Sequence, residues 1–212
     1  MASAGRSAPP RIFLLSPANA GGERARLVLS DRGQFDLAQR LRTGGAPLGD
    51  VFAFISGLYF RGKLAYARAF AHAPDGMPGS FIIAAGRGLM PPESLITLAD
   101  LRAMASVSVD AADERYRAPL EQEGRRLVEL AGPHCEFVLL GSVSSMKYLG
   151  PLRAVFGERL LFPAEFVGRG DMSRGGLLLR QVKAGRELAY QAAGNGTWHG
   201  PRPPKLSRDA AE

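Results

Sequence analysis

Apolar positions along the chain fall into two patterns. Four brief continuous runs, Ile12–Leu15, Phe81–Ala85, Phe137–Leu140 and Leu160–Phe162, carry no polar alternation. Runs of this kind suit strands covered on both faces. Between them apolar residues recur three or four apart, the spacing of a helix with one buried stripe. This spacing is found in Leu27–Leu41 (Leu37, Ala38, Leu41), Leu64–Ala71 (Leu64, Ala67, Phe70), Ala112–Leu130 (Tyr116, Leu120, Leu127), Met146–Phe156 (Leu149, Leu152, Phe156) and Leu177–Leu188. Strands that alternate with helices predict an α/β domain with a mainly parallel sheet and flanking helices. The first crossover, residues 16–80, is long enough for several helices, so a helical insertion is expected after the first strand. No internal repeat is evident. The segment APDGMPG (73–79) reads as a surface loop from its Pro and Gly content.

Composition adds the limits. A chain of 212 residues with 46% apolar residues can bury one core of moderate size. Ser, Ala and Pro at the front and GPRPPKLSRDAAE at the back predict disordered ends over 1–10 and 193–212. A single α/β domain is expected over 11–192. No apolar run approaches the roughly 18 residues of a spanning helix, and the first residues lack the apolar stretch of a secretory leader. Cys135 is the one cysteine, which excludes an intramolecular disulfide and fits a reducing, cytoplasmic setting.

The net charge of +7 asks for an explanation. A polyanionic partner, most simply nucleic acid, is one. A genome-wide preference for Arg is the other, since the 27 basic residues are 23 Arg and 4 Lys. Position discriminates between them. Each predicted strand is followed by a small, polar, Gly-containing segment: Ser16–Gly22 with Asn19, Gly86-Arg87-Gly88-Leu89, Gly141–Ser145 with Ser142, and Pro163–Asp171. Ligands of open α/β sheets bind outside the carboxyl ends of the strands, where Gly lets backbone come close and helix starts attract anions. Each loop alone reads equally as an ordinary turn; four at one sheet edge predict a site.

Two further segments carry chemistry. Val51–Ala73 holds no acid but contains Arg61, Lys63 and Arg68 among Tyr59, Phe60 and Tyr66, with Ser56 just before. Cations beside aromatics suit phosphate contact with base stacking, although Phe60 and Leu64 also suit a core. Glu165–Arg174 places Glu165 and Asp171 among Arg169 and Arg174. It reads as an ion-paired loop before a helix, or as a carboxylate acting as base or cation stabiliser beside a phosphate-holding Arg. Lys147 and Tyr148, just past the third strand, can reach the same edge. No phosphate fingerprint, nucleophile elbow or metal-ligand spacing occurs, so no cofactor and no metal are expected.

These motifs together resemble the YaaA-like superfamily. The resemblance is carried by IFLLSPA (12–18), by LYFRGKLAYARAFA (58–71) followed by a strand and GRGLMPPES (86–94), by VLLGSVSSMKY (138–148) and by FPAEFVGRGDMSRGGLLL (162–179). It implies an α/β fold with a helical insertion and an association with DNA or RNA. By matching position it implies that Asn19, Ser56, Tyr59, Arg61, Lys63, Arg87, Lys147, Tyr148, Arg169 and Asp171 line a shared cleft. Gly86-Arg87-Gly88 and Arg169-Gly170-Asp171 depart from the family pattern.

Three functions fit. The first is a DNA-acting enzyme that cleaves the N-glycosidic bond of a modified base, with Asp171 or Glu165 at the sugar and Asn19 on the base edge. Ser56, Tyr59, Arg61, Lys63, Arg68, Arg87, Ser142, Lys147, Tyr148, Arg169 and Arg174 would hold the nucleic acid. The second is a non-catalytic DNA-binding or protection protein. The third is a small-molecule enzyme on a nucleotide or phosphosugar that uses the same loops. None of them calls for a membrane.

Overall fold

The apolar run at the start of the chain becomes the centre of a six-stranded sheet. The structure is a computed structural model and describes residues 8–204. Strand β1 (Arg11–Leu15) is followed by helices α1 (Glu23–Leu29) and α2 (Asp36–Thr43), the short strand β2 (Ala46–Pro47), and helices α3 (Leu48–Ser56) and α4 (Leu58–Phe70). Strand β3 (Ser80–Ala84) turns directly into β4 (Gly88–Met90), and β5 (Leu95–Ile96), α5 (Leu98–Ala105) and α6 (Glu114–Ala131) follow. The last part is β6 (Glu136–Leu140), α7 (Met146–Phe156), β7 (Leu160–Pro163), α8 (Asp171–Lys183) and β8 (Tyr190–Ala192).

The sheet order is β4-β3-β1-β6-β7-β8, with β1 parallel to both β3 and β6, β7 parallel to β6, and the two edge strands antiparallel. The chain is therefore α/β with a mainly parallel sheet, and the helical insertion after β1 is present as α1–α4. The β1 side chains divide between two cores. Phe13 and Leu15 pack on the side of α3, α4 and α8, while Ile12 and Leu14 pack on the side of α6 and α7. Burial on both faces is why this strand reads as a continuous apolar run.

Three sequence expectations change here. The segment Gly86–Leu89 is the turn of the β3–β4 hairpin and the start of β4, not an open strand-end loop. The edge strands β4 and β8 and the small β2–β5 pair span two or three residues each, too few to show a period. Residues 193–204 were expected in a disordered tail but pack on the body. Ala193 is buried, the Trp198 ring lies 5.4 Å from that of Phe162, and the Trp198 backbone N–H donates to Val143 O at 2.8 Å. Pro10, in the expected disordered front end, accepts from the Glu136 N–H at 2.8 Å, and residues 1–7 and 205–212 of the expected tails lie outside the described residues.

Helices α4 and α8 cross with their backbones in contact. A Cβ on Gly175 would sit 2.8 Å from Tyr59 Cα, and one on Gly62 would sit 2.9 Å from Gly175 O. Neither neighbour is a flexible side chain that could swing away. Gly175→Ala gains about 1 kcal/mol of helix propensity but forces two packed backbones apart. Its net effect should be a loss of about 1–3 kcal/mol of stability, read as a lower urea midpoint. An unchanged or raised midpoint would mean that the helices part without cost.

Candidate functional site

Strand order sets where a ligand can enter. The chain leaves β1 for β3 on one side and later passes back to β6 on the other. The order reverses between β1 and β6, so the loops leaving their carboxyl ends diverge and open a crevice. A pocket of about 440 Å³ lies there. Ser16, Pro17, Ala18 and Asn19 line it from the loop after β1, and Ser142 from the loop after β6. Lys147 and Tyr148 come from the first turn of α7, and Asp171 is the first residue of α8. Ser56 and Tyr59 flank Gly57, and Val109 reaches in from the α5–α6 connection. Gly57 stands at φ 60° and ψ −128°, a conformation open to glycine and strained for other residues. The sharp turn it makes places the end of α3 and the start of α4 at the same wall.

The polar groups of the pocket are held from beneath by a buried cation. Lys63 is 1% exposed, and its Nζ donates to Ser16 O at 2.5 Å and to Ser16 Oγ at 3.0 Å. The same ammonium lies 4.6 Å from the centre of the Tyr59 ring and 4.5 Å from that of Phe60. Burial lowers the Lys63 pKa to about 7, with the Asp171 carboxylate opposing the shift and Arg174 adding to it. Tyr59 is 5% exposed and its Oη has no hydrogen-bond partner. Burial also raises the pKa of this phenol, so it stays neutral and keeps its proton.

Asp171 is exposed at the pocket wall and accepts from Arg174 Nη1 at 3.3 Å. Arg174 is 5% exposed; its Nε and Nη2 donate to Phe166 O at 3.3 and 3.1 Å. Its work is to tie the loop after β7 to α8 and to orient Asp171. Among the described residues Asp171 is the one carboxylate lining the pocket. Asn19 Oδ1 accepts from the Gly21 N–H at 3.1 Å. This occupies one of the two lone pairs of the amide oxygen and leaves both Nδ2 donors for a ligand.

The structure thus brings together Asn19, Ser56, Tyr59, Ser142, Lys147, Tyr148 and Asp171, with Lys63 beneath them. It does not bring in the others. Glu165 is exposed in a 3-10 turn after β7 and is not part of the lining. Arg61 is exposed on α4 outside the lining. Arg68 is at the far end of α4, beside Gly79 and Ser80 at the amino end of β3, and lies 3.8 Å from Glu93. Arg87 in the hairpin turn pairs with Asp100, whose carboxylate also accepts from the Thr97 N–H in the capping box that opens α5. Arg169 donates to Ser173 Oγ at 3.2 Å and borders Arg202 on a neighbouring surface. Lys63 and Arg174 are too buried to meet a phosphate directly. Ser16, Pro17 and Ala18 belong to the Ser16–Gly22 segment expected at the sheet edge without being individual candidates, and Val109 lies in none of the expected segments. Ser16 stood in plain view as the first residue after a strand, whereas nothing local marks Val109.

Among the described residues no group of His, Cys, Asp and Glu could hold a metal ion, and no helix is long and apolar enough to cross a membrane. No protein-family model matches the chain, and neither a curated protein nor a solved structure matches it.

Proposed function

We propose that the chain acts on the N-glycosidic bond of a nucleotide unit held in the β1–β6 pocket, with the base of DNA as the expected substrate. The observation that carries this reading is the meeting of one carboxylate, Asp171, with the Asn19 amide and the Tyr59 and Tyr148 rings in one pocket. The two largely buried tyrosines give the pocket an aromatic wall, and Asn19 offers donors to the base edge. Asp171 faces the sugar, where a carboxylate stabilises an oxocarbenium-like centre or takes a proton from the attacking water. Arg174 holds that carboxylate in place. The exposed cations Arg61 and Lys147, with Arg169, are left to meet backbone phosphates, and a cytoplasmic setting goes with this reading.

A second reading has its own support. Arg68 and Arg87, expected on a nucleic-acid track, face Glu93 and Asp100 instead. Their pairing favours a free nucleotide, which needs only the pocket.

Incubation with duplexes carrying modified bases, and separately with free nucleosides, tests both. Base release is expected, and Asp171→Ala should lower the rate by about 100-fold or more while Glu165→Ala leaves it nearly intact. Equal rates in wild type and Asp171→Ala would remove the assigned chemistry. With these three cations on DNA, log affinity should fall against log salt with a slope of about −3. A flat response together with nucleoside cleavage would select the free-nucleotide reading.

Lys63 predicts a pH dependence. A ligand phosphodiester favours the ammonium form, so binding takes up a proton wherever Lys63 starts neutral. Because burial lowers this pKa to about 7, affinity for a phosphodiester should fall by up to about tenfold between about pH 6 and pH 8. Fluorescence titration of wild type against Lys63→Met checks this, and the variant should respond flatly.

A further inference from the structure

The pocket has a neighbour of opposite character. A smaller cavity of about 230 Å³ continues from it toward the end of β3. Pro17, Ala18, Asn19 and Val109 line both spaces, so the two form one cleft across the carboxyl edge of the sheet. The annex is walled by Phe52 of α3, Ala85 after β3, Met104 of α5 and Val107 of the following loop. Among the described residues none of its lining is charged, whereas the larger half carries Lys147 and Asp171.

Charge and shape therefore divide the cleft. A sugar with its phosphate cannot leave its hydration for the annex without losing hydrogen bonds. A neutral planar ring can, and it gains contact with apolar walls. Asn19 stands on the shared wall with its Oδ1 anchored by the Gly21 N–H and its Nδ2 donors uncommitted, so the group it has most freely to offer is a donor. We propose that the annex holds the heteroaromatic ring of the ligand, with Asn19 Nδ2 donating to an acceptor on the ring edge at the junction. The polar half then holds the sugar beside Asp171. This assignment rests on the nucleotide reading above. It adds the direction in which the ligand lies and the requirement for a ring acceptor.

Ala105, at the exposed end of α5, lines the annex but not the polar half, so Ala105→Trp fills the annex without disturbing a buried side chain. Two arms separate the sources of the ring. One uses a DNA oligonucleotide containing 2-aminopurine against the same strand with an abasic tetrahydrofuran; the other uses 2-aminopurine riboside monophosphate against ribose 5-phosphate. In the arm that binds, wild type should hold the ring-bearing probe tighter than its ringless counterpart. Ala105→Trp should weaken the ring-bearing probe by about tenfold or more, the scale of a lost stacking contact, and leave the ringless one nearly unchanged. Asn19→Leu should likewise weaken only the ring-bearing probe. Equal loss on both probes, or loss on neither, would overturn the annex assignment while the pocket reading stands. Failure of wild type to bind any of the four probes would overturn both.

Discussion

The crossing of α4 and α8 at Gly62 and Gly175 is the constraint on which the site depends. Two helices whose backbones touch leave no room for intervening side chains, so the residues on either side of the crossing are forced into each other's company. On α4 these are Tyr59 and Lys63; on α8 they are Asp171 and Arg174. All four lie within one or two turns of the contact. A wider crossing would set the Asp171 carboxylate away from the pocket wall that Tyr59 supplies. The same approach is why Lys63 loses its water and why Asp171 and Arg174 are the two charges that act on it.

A buried ammonium is costly unless it is paired or hydrogen-bonded. Lys63 meets that cost with two oxygens of Ser16 and two aromatic faces rather than with a carboxylate in direct contact. The consequence reaches the loop after β1, because Ser16 is where the strand ends and the lining of the pocket begins. On the opposite wall the Trp198 backbone N–H holds Val143 O, which steadies the loop carrying Ser142. Both strand-end loops at the switch point are therefore fastened from outside themselves, one by an inserted helix and the other by the returning end of the chain.

This dependence on distant partners explains what could be read in the chain beforehand. The four central strands were legible because burial on both faces leaves an uninterrupted apolar run. The loops after β1 and β6 were legible because small polar residues follow those runs at once. Partnering was not legible. Lys63 and Ser16 are 47 positions apart, and no local pattern separates a buried lysine in an amphipathic helix from a solvated one. Arg68 and Arg87 looked free because the acids they face lie on other elements. The edge strands β4 and β8 escaped because pairing, rather than composition, makes them strands.

Net charge is the property most changed by this partnering. An excess of +7 over the whole chain describes attraction at a distance, but a ligand in the β1–β6 pocket meets a smaller set of charges. Lys147 and Asp171 line it, and Lys63 and Arg174 act from beneath through short distances in a poorly solvated wall. There a single protonation, that of Lys63, changes the local field more than a surface arginine several turns away, because screening by water is weakest where burial is greatest. For a ligand of the proposed kind, recognition within the cleft would turn on that lysine, on the one carboxylate lining the pocket and on the uncharged walls beside them, while the exposed arginines would act on how a charged ligand approaches.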